Sequence, residues 1–337
     1  MTATPLHTPL CDLLGCRYPI LQAGMGGPAR SGLVAAVAEA GAYGFLGMVR
    51  ETPDLIRAEI DAVRRRTERP FGVNLIPSTT DPDLFAAELR ACLERRVHSL
   101  CFFWDVVPDA VARAKAAGCR VLYQVGSVED AVRAEDAGAD IVVAQGFEAG
   151  GHVRGTVTSL VLVPQVCRAV AVPVAASGGF ADGAGLAAAL ALGAAGVHCG
   201  TAFLATEESF AHDHHKRRVV EAGSADTVHT DLFAINWPPR SPVRVIEGAT
   251  VRDSGRPLHG NRPDDFPREV IGHEGDRPIY RYSTDSPLRN MTGDLEAMPL
   301  FAGQVAGAID GIRPAAEVVR AMAGDAEAIL RRLGGGR

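Results

Sequence analysis

Eight short, continuously apolar runs, each followed by a helical pattern, constrain this chain more than any other feature. The runs fall at 19–23, 43–47, 71–75, 99–104, 120–125, 140–145, 172–176 and 196–200. Between them lie Ala-, Leu-, Arg- and Glu-rich segments, such as 31–40, 53–66, 82–96, 108–117 and 128–137. The repeat is roughly 20 to 32 residues per unit, the length an alternating βα unit needs. Runs that are apolar throughout suit parallel strands covered on both faces. Gly41, Gly118, Gly138 and Gly193 stand where each helix should end. Eight units match a closed α/β fold, the (β/α)8 TIM barrel. An open doubly wound sheet is the rival, because Gly24-Met25-Gly26-Gly27-Pro28-Ala29 fits G-x-G-x-x-A. That fold wants an acidic residue about 20 positions on. Here the second run passes into Met48-Val49-Arg50 before Glu51, so the barrel is preferred.

A barrel of this kind typically takes about 250 residues, and the chain has 337. The surplus falls at 207–290, where polar, charged and Pro-rich sequence replaces the βα rhythm. We therefore expect a barrel from 1–206 and 291–337, with 207–290 inserted after strand 8 as a smaller lid or substrate subdomain. Helices are expected to resume at 299–310 and 314–333. A net charge of −6 with no long basic block argues against nucleic acid. The longest uncharged stretch, 183–206, reads helix-then-strand and predicts a buried βα unit rather than a membrane span. The seven cysteines are scattered, with no C-x-x-C, and the N-terminus carries no signal-peptide pattern. Both features fit a reduced, cytoplasmic setting.

Barrel chemistry gathers at the C-terminal ends of the strands, and phosphates commonly sit on the loops after strands 7 and 8. Those two loops read Ser177-Gly178-Gly179 and Gly200-Thr201, with small residues whose backbone lets an anion approach closely. Gln22, Asn74, Gln124 and Gln145 close four other strands. Four amides so placed suit a ring edge of alternating C=O and N–H groups, such as a flavin pyrimidine. The catalytic candidate is His152, behind Gly150 and Gly151 in the loop after strand 6. Its imidazole titrates near neutrality and can take or give a proton. His198 lies inside a strand and reads as a core residue. His212, His214 and His215 read as a solvated polar face rather than a metal site, and no metal is expected. Only Lys115 and Lys216 are lysines, and neither stands at a strand end, which disfavours Schiff-base chemistry.

The same residues carry a family likeness. Pro19-Ile20-Leu21-Gln22-Ala23-Gly24-Met25, Phe71-Gly72-Val73-Asn74-Leu75, Glu148-Ala149-Gly150-Gly151-His152 and Ala176-Ser177-Gly178-Gly179-Phe180-Ala181-Asp182 resemble motifs of the nitronate monooxygenases, formerly 2-nitropropane dioxygenases. So does Ala194 to Leu204, and the likeness resumes near Leu300-Phe301-Ala302-Gly303-Gln304. The resemblance implies FMN as cofactor, with its phosphate on Ser177, Gly178, Gly179, Gly200 and Thr201. Gln22, Ala23, Gly24, Met25, Asn74 and Gln124 would line the ring or ribityl chain, with Gly150 and Gly151 beneath it. Gln304 would close the site, and His152 would match the family's catalytic histidine.

On this likeness the expected reaction is oxidation of alkyl nitronates by O2 to carbonyl compounds and nitrite. A second expectation keeps FMN but draws electrons from NAD(P)H for a quinone or an enoyl thioester. A third is a non-redox barrel acting on a phosphate ligand. A homodimer is compatible with any of them.

Overall fold

The computed structural model describes residues 6–335. Eight parallel strands close into a barrel: Ile20–Gln22, Tyr43–Gly47, Gly72–Leu75, Ser99–Phe103, Arg120–Val125, Ile141–Gln145, Val174–Ser177 and Gly196–Cys199. The first strand pairs with the eighth, Leu21 opposite His198 and Gln22 opposite Cys199, which seals the ring. All eight match the expected runs to within two residues. The seventh starts at Val174 because Pro173 has no N–H to give the ladder.

Local chemistry explains the crossover helices. Pro53–Arg64, Pro82–Glu94 and Pro108–Ala116 each open on a proline, whose missing N–H would be unpaired there anyway. Asp81 accepts hydrogen bonds from the amides of Asp83 and Leu84 at 3.1 and 3.0 Å, and Asp182 accepts from Gly185 at 2.7 Å. Each cap satisfies donors that the helix itself cannot.

The barrel interior is filled from below. Leu21, Tyr43, Phe45, Cys101, Leu122, Ile141, Val143 and Ala175 pack inside it against Leu10 and Leu14 of the short helix Pro9–Leu14. A cavity opens instead towards the C-terminal ends of the strands. The stretch 183–206 is a buried βα unit, its helix spanning Gly183–Ala191. Among the described residues no helix is long and apolar enough to cross a membrane.

The insertion departs from expectation in three ways. First, it is knitted to the barrel: Thr227–Thr230 and Val243–Ile246 form an antiparallel sheet with Gly151–His152, the loop after the sixth strand. Second, its other sheet combines Val270–Glu274 and Arg277–Tyr280 with Met291–Gly293, so the expected boundary at 290 cuts a sheet. Third, no helix spans 299–310; only a 3-10 turn, Gln304–Ala308, forms there. The amide of Ile246 donates to Leu300 O at 2.8 Å, and Val245 bridges Phe301. This extended pairing outcompetes helix formation. The long closing helix, Ala315–Gly334, packs on Gly183–Ala191 as a barrel helix should.

Candidate active site

A cavity of about 890 Å³ opens over the C-terminal ends of the strands. Its floor and one wall come from the expected loops: Ala23, Gly24 and Met25 after strand 1, Asn74, Gln124, and Ser177, Gly178 and Gly179. Gly150, Gly151, His152, His198, Gly200 and Thr201 complete that side. Gly178 and Gly179 have φ of 88° and 81°, a left-handed conformation that side chains with a Cβ avoid. Among the described residues no protein partner accepts from their amides. These free N–H groups suit a phosphate, as expected for a cradle. Gly150 meets a different demand, because a Cβ there would strike the backbone of Ala302 and Gly303.

The four strand-end amides divide. Asn74 donates to Cys101 O at 3.0 Å and faces the cavity. Gln124 also faces the cavity. Gln145 holds its own loop, donating to His152 O at 2.9 Å and accepting from the Arg154 amide at 3.2 Å. Gln22 does not line the cavity; its amide nitrogen donates to Phe45 O at 3.2 Å and to Ala23 O. Three of the four amides thus line the cavity, Gln145 while also holding the His152 loop, and Gln22 does not. Gln304 also departs from expectation. Its amide nitrogen in the backbone pairs with Glu148 O at 3.0 Å, while its side chain is exposed and lies outside the cavity lining. The 3-10 turn points it outward, and Gly303 and Val305 line the cavity instead.

His152 is partly buried, with Nε2 enclosed and without a hydrogen-bond partner. Trp237 of the insertion stacks on its ring at 3.4 Å between centroids, 24° from parallel. Trp104 meets it edge-on at 5.9 Å. Desolvation, and secondarily the positive charge of Arg50, holds this imidazole well below its ordinary pKa. It is therefore a neutral base at neutral pH. His198 is buried and also lines the cavity. Its Nδ1 lies 3.2 Å from Ser177 Oγ, its Nε2 has no partner, and burial lowers its pKa to about 4. The core role expected for it is thus joined to a place on the cavity floor.

The histidine cluster of the insertion is not a solvated face. His215 is buried and hydrogen-bonds Phe301 O at 3.1 Å, while Lys216 Nζ donates to Glu207 O at 3.2 Å. The inward face of helix Asp213–Glu221 carries both, His215 against Phe301 and Lys216 against the Glu207 carbonyl. His214 pairs with Glu296 at 2.8 Å. Among the described residues no three His, Cys, Asp or Glu side chains are grouped to hold a metal.

Sequence reasoning missed Arg50, Trp104 and Trp237 as site residues. The one available signal was Trp237 itself, a large aromatic within Asn236-Trp237-Pro238-Pro239-Arg240 in an otherwise polar segment. Nothing local ties it to His152, 85 positions earlier.

Comparison with known proteins identifies the family. The family model for nitronate monooxygenase matches residues 7–325. A probable nitronate monooxygenase of Staphylococcus aureus is 31% identical over 345 aligned positions, covering 88% of this chain and 90% of that protein. A Mycobacterium tuberculosis (3aS,4S,5R,7aS)-5-hydroxy-7a-methyl-1-oxo-octahydro-1H-indene-4-carboxyl-CoA dehydrogenase is 41% identical over 228 residues, 67% of this chain; the match spans only 63% of that protein. The structure of FabK from Thermotoga maritima superposes with a TM-score of 0.81 at 34% identity, covering 98% of this chain and 99% of that one. Nitroalkane oxidase from Streptomyces ansochromogenes gives 0.79 at 32% identity, over 96% of this chain and 99% of that one. The chain belongs to the nitronate monooxygenase family.

Proposed function

We propose that the protein is a flavin-dependent oxidoreductase, that its flavin is FMN, and that it oxidises alkyl nitronates with O2 to carbonyl compounds and nitrite. The phosphate would rest on Ser177, Gly178, Gly179, Gly200 and Thr201, and the ring among Ala23, Gly24, Met25, Asn74, Gln124, Gly150 and Gly151. Support for the fit comes from the free amides at Gly178 and Gly179, and from a cavity of about 890 Å³, larger than a small nitronate needs alone. Bound there, the flavin supplies the electron acceptor.

The observation that carries the reading is the place of His152 in the cavity wall. A neutral imidazole at the cavity wall can accept the proton of a carbon acid such as a nitroalkane. Arg50, whose guanidinium has only carbonyl oxygens as hydrogen-bond partners, sets a positive charge near the resulting anion. Segment 207–290 then acts as a cover over the substrate, placed in a cytoplasmic enzyme without metal.

A second reading, a reductase fed by NAD(P)H, is favoured by the volume left beyond a flavin and by the likeness to the indene-4-carboxyl-CoA dehydrogenase. An absorbance spectrum under argon tests both. A flavin band that bleaches with a nitronate but not with NADH supports the first reading. Bleaching by NADH within seconds supports the second, and a colourless protein that takes up no FMN overturns both.

A further inference from the structure

We propose that Trp237 sets which substrates reach His152: its indole covers the ground that the flat reacting group of the substrate must take. The inference rests on the reading of His152 as the working base.

At 3.4 Å between ring centroids nothing can pass between Trp237 and His152, so one face of the imidazole is closed while the indole is in place. Trp104 stands across another side at 87° to the ring, and Nε2 is left enclosed without a partner. With that face covered and Nε2 enclosed, a ligand can reach the imidazole only at its remaining edge. The cover must move, or the ligand must be small enough to meet the ring edge alone.

The cover belongs to the insertion. Trp237 arrives on the segment between Thr227–Thr230 and Val243–Ile246, not on a barrel element. Asn236 and Arg240 on either side of Trp237-Pro238-Pro239 hold φ of 82° and 62°, a left-handed conformation that costs energy for residues with a Cβ. Trp237 itself is buried against Ile76, Phe103 and Trp104, and polar contacts tie down the segment that carries it. Arg50 lies 4.9 Å from the indole centroid, donates to Asn236 O, and donates to Thr79 O at 3.0 Å. The Asn236 amide reaches Asp285 at 3.3 Å. Beyond Trp237 the same cavity continues to Arg277, Asp285 and Leu288.

These features define the ligand that fits once the indole swings away. Its head is flat and conjugated and takes over the stack on the imidazole. It carries negative charge, which meets the guanidinium that Trp237 releases. Its alkyl or aryl arm runs outward along the cavity. Small heads fit with the cover closed; bulky ones need it open.

The test compares wild-type holoenzyme with W237A and W237F. Diethyl pyrocarbonate labelling of His152, followed peptide by peptide, reads the cover directly, with exposed His273 and His259 as internal references. We expect W237A to speed labelling of His152 relative to these by about tenfold, as local opening would, and W237F to restore protection. We also expect W237A to raise kcat/KM for phenylnitromethane nitronate over that for ethylnitronate by about tenfold, the scale of a single pocket change. Equal labelling in wild type and W237A, or an unchanged ratio of the two substrates, overturns the proposal. If no variant turns over any nitronate, the functional reading fails by itself. The labelling ratio, and binding of the same two anions followed in the flavin absorbance band, then decide the role of Trp237.

Discussion

Gln145, the last residue of the sixth barrel strand, grips the loop of His152 at two points. Its Nε2 donates to His152 O at 2.9 Å and its Oε1 accepts from the Arg154 amide at 3.2 Å. A strand-end side chain thus fixes the backbone that carries the base. Losing both bonds exposes two buried backbone groups, at about 1–3 kcal/mol. Q145A should therefore lower kcat about ten- to a hundredfold. It should leave the FMN dissociation constant within a fewfold, measured by flavin fluorescence titration. A large loss of FMN affinity instead would make Gln145 a cofactor contact.

Replacing His152 separates proton abstraction from binding. H152A should reduce turnover of a neutral nitroalkane by about 10²–10⁴, the usual contribution of a general base. Turnover of the preformed nitronate should fall far less, because that substrate has already lost its proton. Steady-state rates on both forms at one pH make the comparison, and equal losses would leave His152 a binding role only.

Gly178 offers a check on the anion cradle. At φ 88° an alanine costs about 1–2 kcal/mol, and its Cβ would stand 3.0 Å from Gly146 O. G178A should weaken FMN binding by about tenfold or more, with the thermal midpoint of the apoprotein lowered only modestly. An unchanged FMN affinity would place the phosphate elsewhere.

His215 predicts a pH dependence of stability unrelated to the active site. Burial lowers its pKa to about 4 from 6.5, and it hydrogen-bonds Phe301 O. The unfolded chain therefore takes up a proton that the folded chain refuses. Stability is full above about pH 6.5 and falls as the pH drops towards 4. His198 behaves in the same direction, also with a pKa of about 4. H215Q should flatten the fall in melting temperature between pH 6.5 and 4.5 relative to wild type. An unaltered slope would mean that other groups set the acid limit.

Sequence by itself determined the barrel, and the reason is local. Continuous apolar runs can be buried only by helices on one side and a filled interior on the other, and their repeat spells out eight units. Ser177-Gly178-Gly179 and the loop to His152 were legible for the same reason, because a barrel places loop residues by their position after a strand. Tertiary structure alone decided the rest. Gln22 looks like Asn74, Gln124 and Gln145 in sequence, yet it alone of the four does not line the cavity, and Gln145 also holds the His152 loop at two points. Gln304 sits in the right motif but on a 3-10 turn that points it outward. Trp237 reaches His152 only because Val243–Ile246 pairs with Gly151–His152, folding the insertion back over the strand ends. Such a contact depends on long-range strand pairing, and no periodicity along the chain records it.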